Sequence, residues 1–124
     1  AMYTISFRHE YNLLDIQWQT LFDLAGVERY AAELVDRFRK EGFTSGYRLR
    51  IDMGACSVQP VQAAAAIHER LAGFPRASRI AIVTASAITR LQVQRLMTQP
   101  YLRIFDTAAA SWDWLTAPDA VAAA

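Results

Sequence analysis

A chain of 124 residues, 53% of them hydrophobic, has the size of one domain and can bury a core without disulfide or metal staples. Its 13 Lys plus Arg stand against 12 Asp plus Glu, a formal net charge of +1 that lacks the basic excess by which nucleic-acid binders displace counterions, so no nucleic-acid partner is implied. Cys56 is the only cysteine, which excludes an intramolecular disulfide and a cysteine-ligated zinc site, and without a signal-peptide pattern or a run of about 18 apolar residues the expectation is a cytoplasmic protein with no transmembrane segment.

Tyr3, Ile5 and Phe7 alternate with Thr4, Ser6 and Arg8, and Leu14, Ile16 and Trp18 alternate with Asp15, Gln17 and Gln19. This is the two-residue period of half-buried strands, and a short turn around Glu10 to Asn12 makes them an antiparallel hairpin. Val27, Tyr30, Ala31, Leu34, Val35 and Phe38 then recur at helical spacing, and Gly42 supplies the stop. Tyr47, Leu49, Ile51 and Met53 alternate with Arg48, Arg50 and Asp52 as a third strand. A second helix runs from about Gln59, with Pro60 in its first turn and an apolar face of Val61, Ala64, Ala65, His68, Leu71 and Ala72.

The unbroken run Ile80, Ala81, Ile82, Val83 predicts a central strand covered on both faces. Ser86 caps a third helix carrying Ile88, Leu91, Leu96 and Met97; Leu102 to Phe105 is the last strand, and Thr107 caps a short helix with Trp112, Trp114 and Leu115. The order is β-β-α-β-α-β-α-β-α. It predicts an α/β fold with one mixed β-sheet, an N-terminal antiparallel hairpin followed by parallel strands, flanked by about four helices. Residues 2–117 form one domain, and the Ala-rich stretch 118–124 is expected to fray.

No catalytic constellation emerges. Cys56 near a helix start could be activated by the helix dipole, but a phosphatase-type loop needs an arginine where Gln62 stands, so a small buried residue is preferred. His68 is separated from Cys56 by most of a helix and cannot serve it as a base; it reads as a core-facing histidine, and His9 as a solvent-facing one. Asp52 ends a strand without the acidic pair a phosphoacceptor aspartate needs for Mg²⁺. No glycine-rich phosphate loop follows any strand, and two histidines give no metal site, so neither a cofactor nor a metal is expected. Trp112 and Trp114 on one short helix cannot easily both enter one core, which suggests an apolar groove between the third and fourth helices formed with Ile88, Met97 and Tyr101. A spare apolar helix face would also suit a homodimer.

The element order, with the segments IDMGACSVQPVQAAAAIHERL and RIAIVTASAITRLQVQRLM, resembles the STAS-like superfamily, and more closely its SpoIIAA-like branch of small stand-alone bacterial domains. The resemblance covers nearly all of residues 3–115. Members resembling anti-sigma-factor antagonists bind a serine kinase and are switched by phosphorylation of a serine at the start of the helix after the third strand; other SpoIIAA-like members are suspected of binding apolar ligands or membranes. Ungapped registration on Leu49 to Asp52 puts Gln59 and Pro60 where that family has its serines, and only a shift of about two residues brings Ser57 there. Ser57 therefore reads first as a turn or cap residue. The resemblance implies a non-enzymatic regulatory protein-interaction module with Cys56, Ser57 and Gln59 on its partner surface. The alternative is a binder or carrier of small apolar, lipid-like molecules with peripheral membrane association, using the Ile88, Met97, Tyr101, Trp112 and Trp114 groove.

Overall fold

The computed structural model describes residues 1–119; the rest of the Ala-rich stretch, 120–124, lies outside the described residues. Its strands are β1 (Tyr3–Arg8), β2 (Leu13–Trp18), β3 (Arg48–Asp52), β4 (Arg79–Val83) and β5 (Leu102–Phe105). The α-helices are α1 (Leu24–Lys40), α2 (Val61–Arg70), α3 (Ala87–Leu96) and α4 (Ala108–Thr116). The sheet runs β1-β2-β3-β4-β5, with the first pair antiparallel and the others parallel, as the order of elements predicts. The hairpin turns through a 3₁₀ turn at His9–Tyr11 and through Asn12, whose φ of 52° is the left-handed conformation asparagine tolerates.

Successive parallel strands lie side by side, so their crossovers share one hand and α1, α2 and α3 fall on one face of the sheet. The register aligns Leu14, Leu49, Ile80 and Leu102 in one row and Ile16, Ile51, Ile82 and Ile104 in the next. Val27, Tyr30, Leu34 and Phe38 of α1, with Ile67 of α2 and Val93 of α3, close over these rows as the main core. The second face is covered by α4, where Leu13, Ala81 and Leu115 form a small core flanked by Phe105, Trp112 and Trp114.

Asp23, missed by the periodicity, caps α1 by accepting from Gly26 N at 2.7 Å. At the other end Gly42 takes φ +72°, its N–H bonds Arg39 O, and Phe43 N reaches Phe38 O at 3.1 Å. This pair of reversed bonds, with Phe43 against Phe38, satisfies carbonyls the helix end would otherwise leave free.

Three expectations need correction. Strand β4 is covered on both faces, with Ile80 and Ile82 in the main core and Ala81 under α4, as its apolar run predicts, but the middle place in the sheet order belongs to β3, whose Arg48 and Arg50 are accommodated under α4. Helix α2 buries Ala63, Ala64 and Ile67, which rotates His68 out of the core and leaves Val61 80% exposed. Helix α3 buries Thr89 and Val93 and leaves Ile88 and Leu91 exposed. At the start of the Ala-rich stretch, Pro118 and Asp119 accept bonds from Arg79, with Arg79 Nη2 to Asp119 Oδ1 at 3.0 Å.

Ile82 has no exposed surface and sits in the middle of the main core. Ile82→Ala should lower the unfolding free energy by about 2–5 kcal/mol in a urea titration, the range for truncating a fully buried aliphatic side chain.

Candidate functional site

Protein interiors are ordinarily filled to crystal density, yet a cavity of about 370 Å³ lies between the sheet and the first three helices. Ile16, Ile51 and Ile80 form its floor; Tyr30 and Leu34 of α1, Ile67 of α2 with Leu71 just past its end, and Val93 and Leu96 of α3 with Met97 just past its end form its walls. The space follows from side-chain size. Helix α2 turns alanines toward the sheet, and α3 contributes only Thr89 and Val93 as fully buried residues. The volume falls in the range of about 300–1,000 Å³ typical of small-molecule pockets.

Polar groups gather at one end, where the cavity is lined by His68 at the end of α2, by Pro75 and Arg76 before β4, and by Gln99 and Tyr101 before β5. His68 and Arg76 are exposed, so this end meets solvent. The Arg76 guanidinium carbon stands 4.9 Å from the Tyr101 ring centre, and Arg76 has no ion-pair partner among the described residues. Gln99 Oε1 is buried without a hydrogen-bond partner. Tyr47 donates to Pro75 O at 2.8 Å and holds the rim; its phenol is pushed far above the ordinary range, first by burial and then by the neighbouring tyrosines.

The groove expected from Ile88, Met97, Tyr101, Trp112 and Trp114 is not formed as one surface. Met97 and Tyr101 line the cavity, Ile88 is 65% exposed on α3, and the two tryptophans lie across the sheet on α4. The guanidinium groups of Arg8 and Arg50 each lie over the Trp112 ring, 5.2 Å from its centre, and Trp114 packs on Phe105. Both rings find places because they cover polar sheet residues as well as apolar ones. Asp15 receives Arg50 through two bonds, Nε to Oδ1 at 2.9 Å and Nη2 to Oδ2 at 2.8 Å, with Arg8 Nε on Oδ2 at 3.1 Å. The Asp15 hydrogen bonds are the main reason Arg50 is held still more firmly protonated. Arg50 Nη1 also reaches Ala108 O and Ser111 Oγ, which ties α4 to the pair.

Cys56, Ser57 and Gln59 do lie together in the loop between β3 and α2, with different surroundings. Ser57 is exposed. Gln59 is buried and acts as a hub: its Oε1 accepts from Phe22 N at 2.8 Å, its Nε2 donates to Thr20 O at 3.3 Å, and its carbonyl accepts from Gln92 Nε2 at 2.9 Å. It thereby joins the loop before α1, the start of α2 and the middle of α3. The Cys56 thiol faces Met53 O, and burial raises its pKa, only partly offset by Gln59. That is the opposite of an activated thiolate. Helix α2 begins at Val61, with Pro60 as its cap residue. Among the described residues no helix is long and apolar enough to cross a membrane, and no group of three His, Cys, Asp or Glu could hold a metal ion.

The backbone is similar to the crystal structure of an uncharacterized protein of the DUF3478 family, with a SpoIIAA-like fold, from Shewanella loihica PV-4. The two share 15% identity at a TM-score of 0.68 over 91% of this chain and 93% of that one. The chain thus has a SpoIIAA-like fold, which agrees with the resemblance of its sequence. No protein-family model and no curated protein matches it.

Gln59→Ala should cost about 1–3 kcal/mol of stability by chemical denaturation, because it strands the buried Phe22 N–H. Alkylation of Cys56 by iodoacetamide should titrate at a higher pH than that of a free cysteine, since the neutral thiol persists until pH rises through the raised pKa. A midpoint at or below the free value would contradict this.

Proposed function

We propose that this domain acts by binding rather than by catalysis, and that it binds a small apolar molecule in the cavity between the sheet and α1, α2 and α3. The observation that carries the reading is the cavity itself: aliphatic and aromatic walls, about 370 Å³ of space, and an end that opens among a few polar groups. An apolar void forfeits dispersion contacts along its whole lining, and a fitting ligand restores them. The fold alone does not select a function, so this reading rests on the site.

A protein-interaction surface is supported by a separate observation. Leu21, Leu24, Val61, Ile88 and Leu91 are exposed, and they sit on the loops and first turns that Gln59 joins. Exposed apolar side chains gathered beside Cys56, Ser57 and Gln59 suit contact with a protein partner. In this reading a ligand in the cavity, walled by the same helices, adjusts how that surface is presented.

Native mass spectrometry of the protein as purified tests the first reading. Expected is an added small lipophilic mass, or uptake of decanol when it is supplied. Ala72→Trp, at an exposed position on the cavity lining, should block entry and lower affinity by about tenfold or more, about 1.4 kcal/mol, with the circular dichroism unchanged. A wild-type protein that neither carries nor takes up any lipophile would overturn the cavity reading.

A further inference from the structure

The chemistry of the cavity's polar end narrows the ligand. Among the described residues lining the cavity there is no Asp or Glu, while two of them, His68 and Arg76, can carry positive charge. Arginines elsewhere in the chain are largely committed: Arg50 to Asp15, Arg90 to Asp106, Arg70 to Glu28. Arg76 has no such partner and is nonetheless positioned, its guanidinium lying over the Tyr101 ring. A guanidinium held over an aromatic face keeps N–H groups free for a planar, two-oxygen acceptor.

The ends of α2 and α3 also lie here, and helix carbonyl ends oppose an anion. Several of these carbonyls are already occupied: Ile67 O by Leu71 N, Glu69 O by Ala72 N, and Val93 O by Met97 N. Pro75 O accepts from Tyr47. Gln99 adds a second recognition group. A terminal amide keeps its shape when turned half a revolution, so its unpartnered buried end can offer Nε2 to a ligand oxygen.

Building on the cavity reading above, we infer that the ligand is an amphiphile with a carboxylate head paired to Arg76 at the open end, its hydrocarbon chain running inward between α2, α3 and the sheet. At about 30 Å³ for each water-sized unit, the cavity holds about a dozen non-hydrogen atoms. A straight-chain acid of ten carbons has that size.

Isothermal titration of decanoate and of decanol into the wild-type protein and into Arg76→Gln separates the head from the chain. Expected is an affinity about tenfold higher for decanoate than for decanol in the wild type. Arg76→Gln should bring decanoate down to the level of decanol while leaving decanol itself unchanged, which also shows that the variant keeps its fold. Arg76→Lys, which keeps charge without the planar fork, should retain part of the preference. Equal binding of acid and alcohol to the wild type, or a preference that survives in Arg76→Gln, overturns the head-group assignment and leaves the cavity reading standing. Binding of neither compound overturns both.

Discussion

The direction in which the chain winds governs this molecule. From β2 to β5 each strand is laid beside its predecessor in the same sense, and a crossover of constant hand then has one face available. Three helices share that face, and α4 has the other. The main core and the cavity are therefore on the same side, and the wall of any ligand is made of the residues that hold the domain together. Such a ligand would bind the folded state alone and stabilise it by mass action.

The two faces solve different packing problems. On the three-helix side, small residues of α2 leave a space that larger side chains would have closed. On the α4 side, Arg48, Arg50 and Arg79 project from the sheet beneath a short helix and are satisfied by Asp15, Ser111 and the carbonyls around Leu115 to Pro118. A largely buried ion pair of this kind adds little net stability, since taking both charges out of water opposes their attraction. It does make removal of one partner costly. Losing Asp15 would leave Arg50 under α4 without its carboxylate.

Much of the fold was legible because its strands alternate cleanly and its caps use residues with few alternatives. Gly42 at the end of α1, Ser86 before α3 and Thr107 before α4 serve as read. The phase of α2 was not legible. Ala63 to Ala66 are equivalent in hydrophobicity, so nothing local selects which of them turns inward; Ile67, the large aliphatic residue within that helix, sets the phase through tertiary contact. The middle strand was obscured by Arg48 and Arg50, whose partners on β2 and α4 are distant in sequence. The cavity was invisible for a similar reason, since a void is a property of how elements meet. Met97 and Tyr101 are legible as candidate groove residues, but grouping them with Trp112 and Trp114 takes consecutive helices to be neighbours, and here the sheet separates them. Arg76 carried no signal of its own in the sequence; an unpaired arginine is recognised only once every neighbouring carboxylate has been placed.

The position of α4 has a consequence for synthesis. Helix α4 follows all five strands, so when it emerges from the ribosome the three-helix side can already have condensed. The face still waiting for its cover presents arginines, Asp15 and Gln17 with few large apolar groups. A half-finished sheet that shows charge to its surroundings is a poor template for association with other nascent chains, which is when such contacts do most damage. The arginine and aspartate beneath α4 thus keep that face of the sheet polar until the helix covers it.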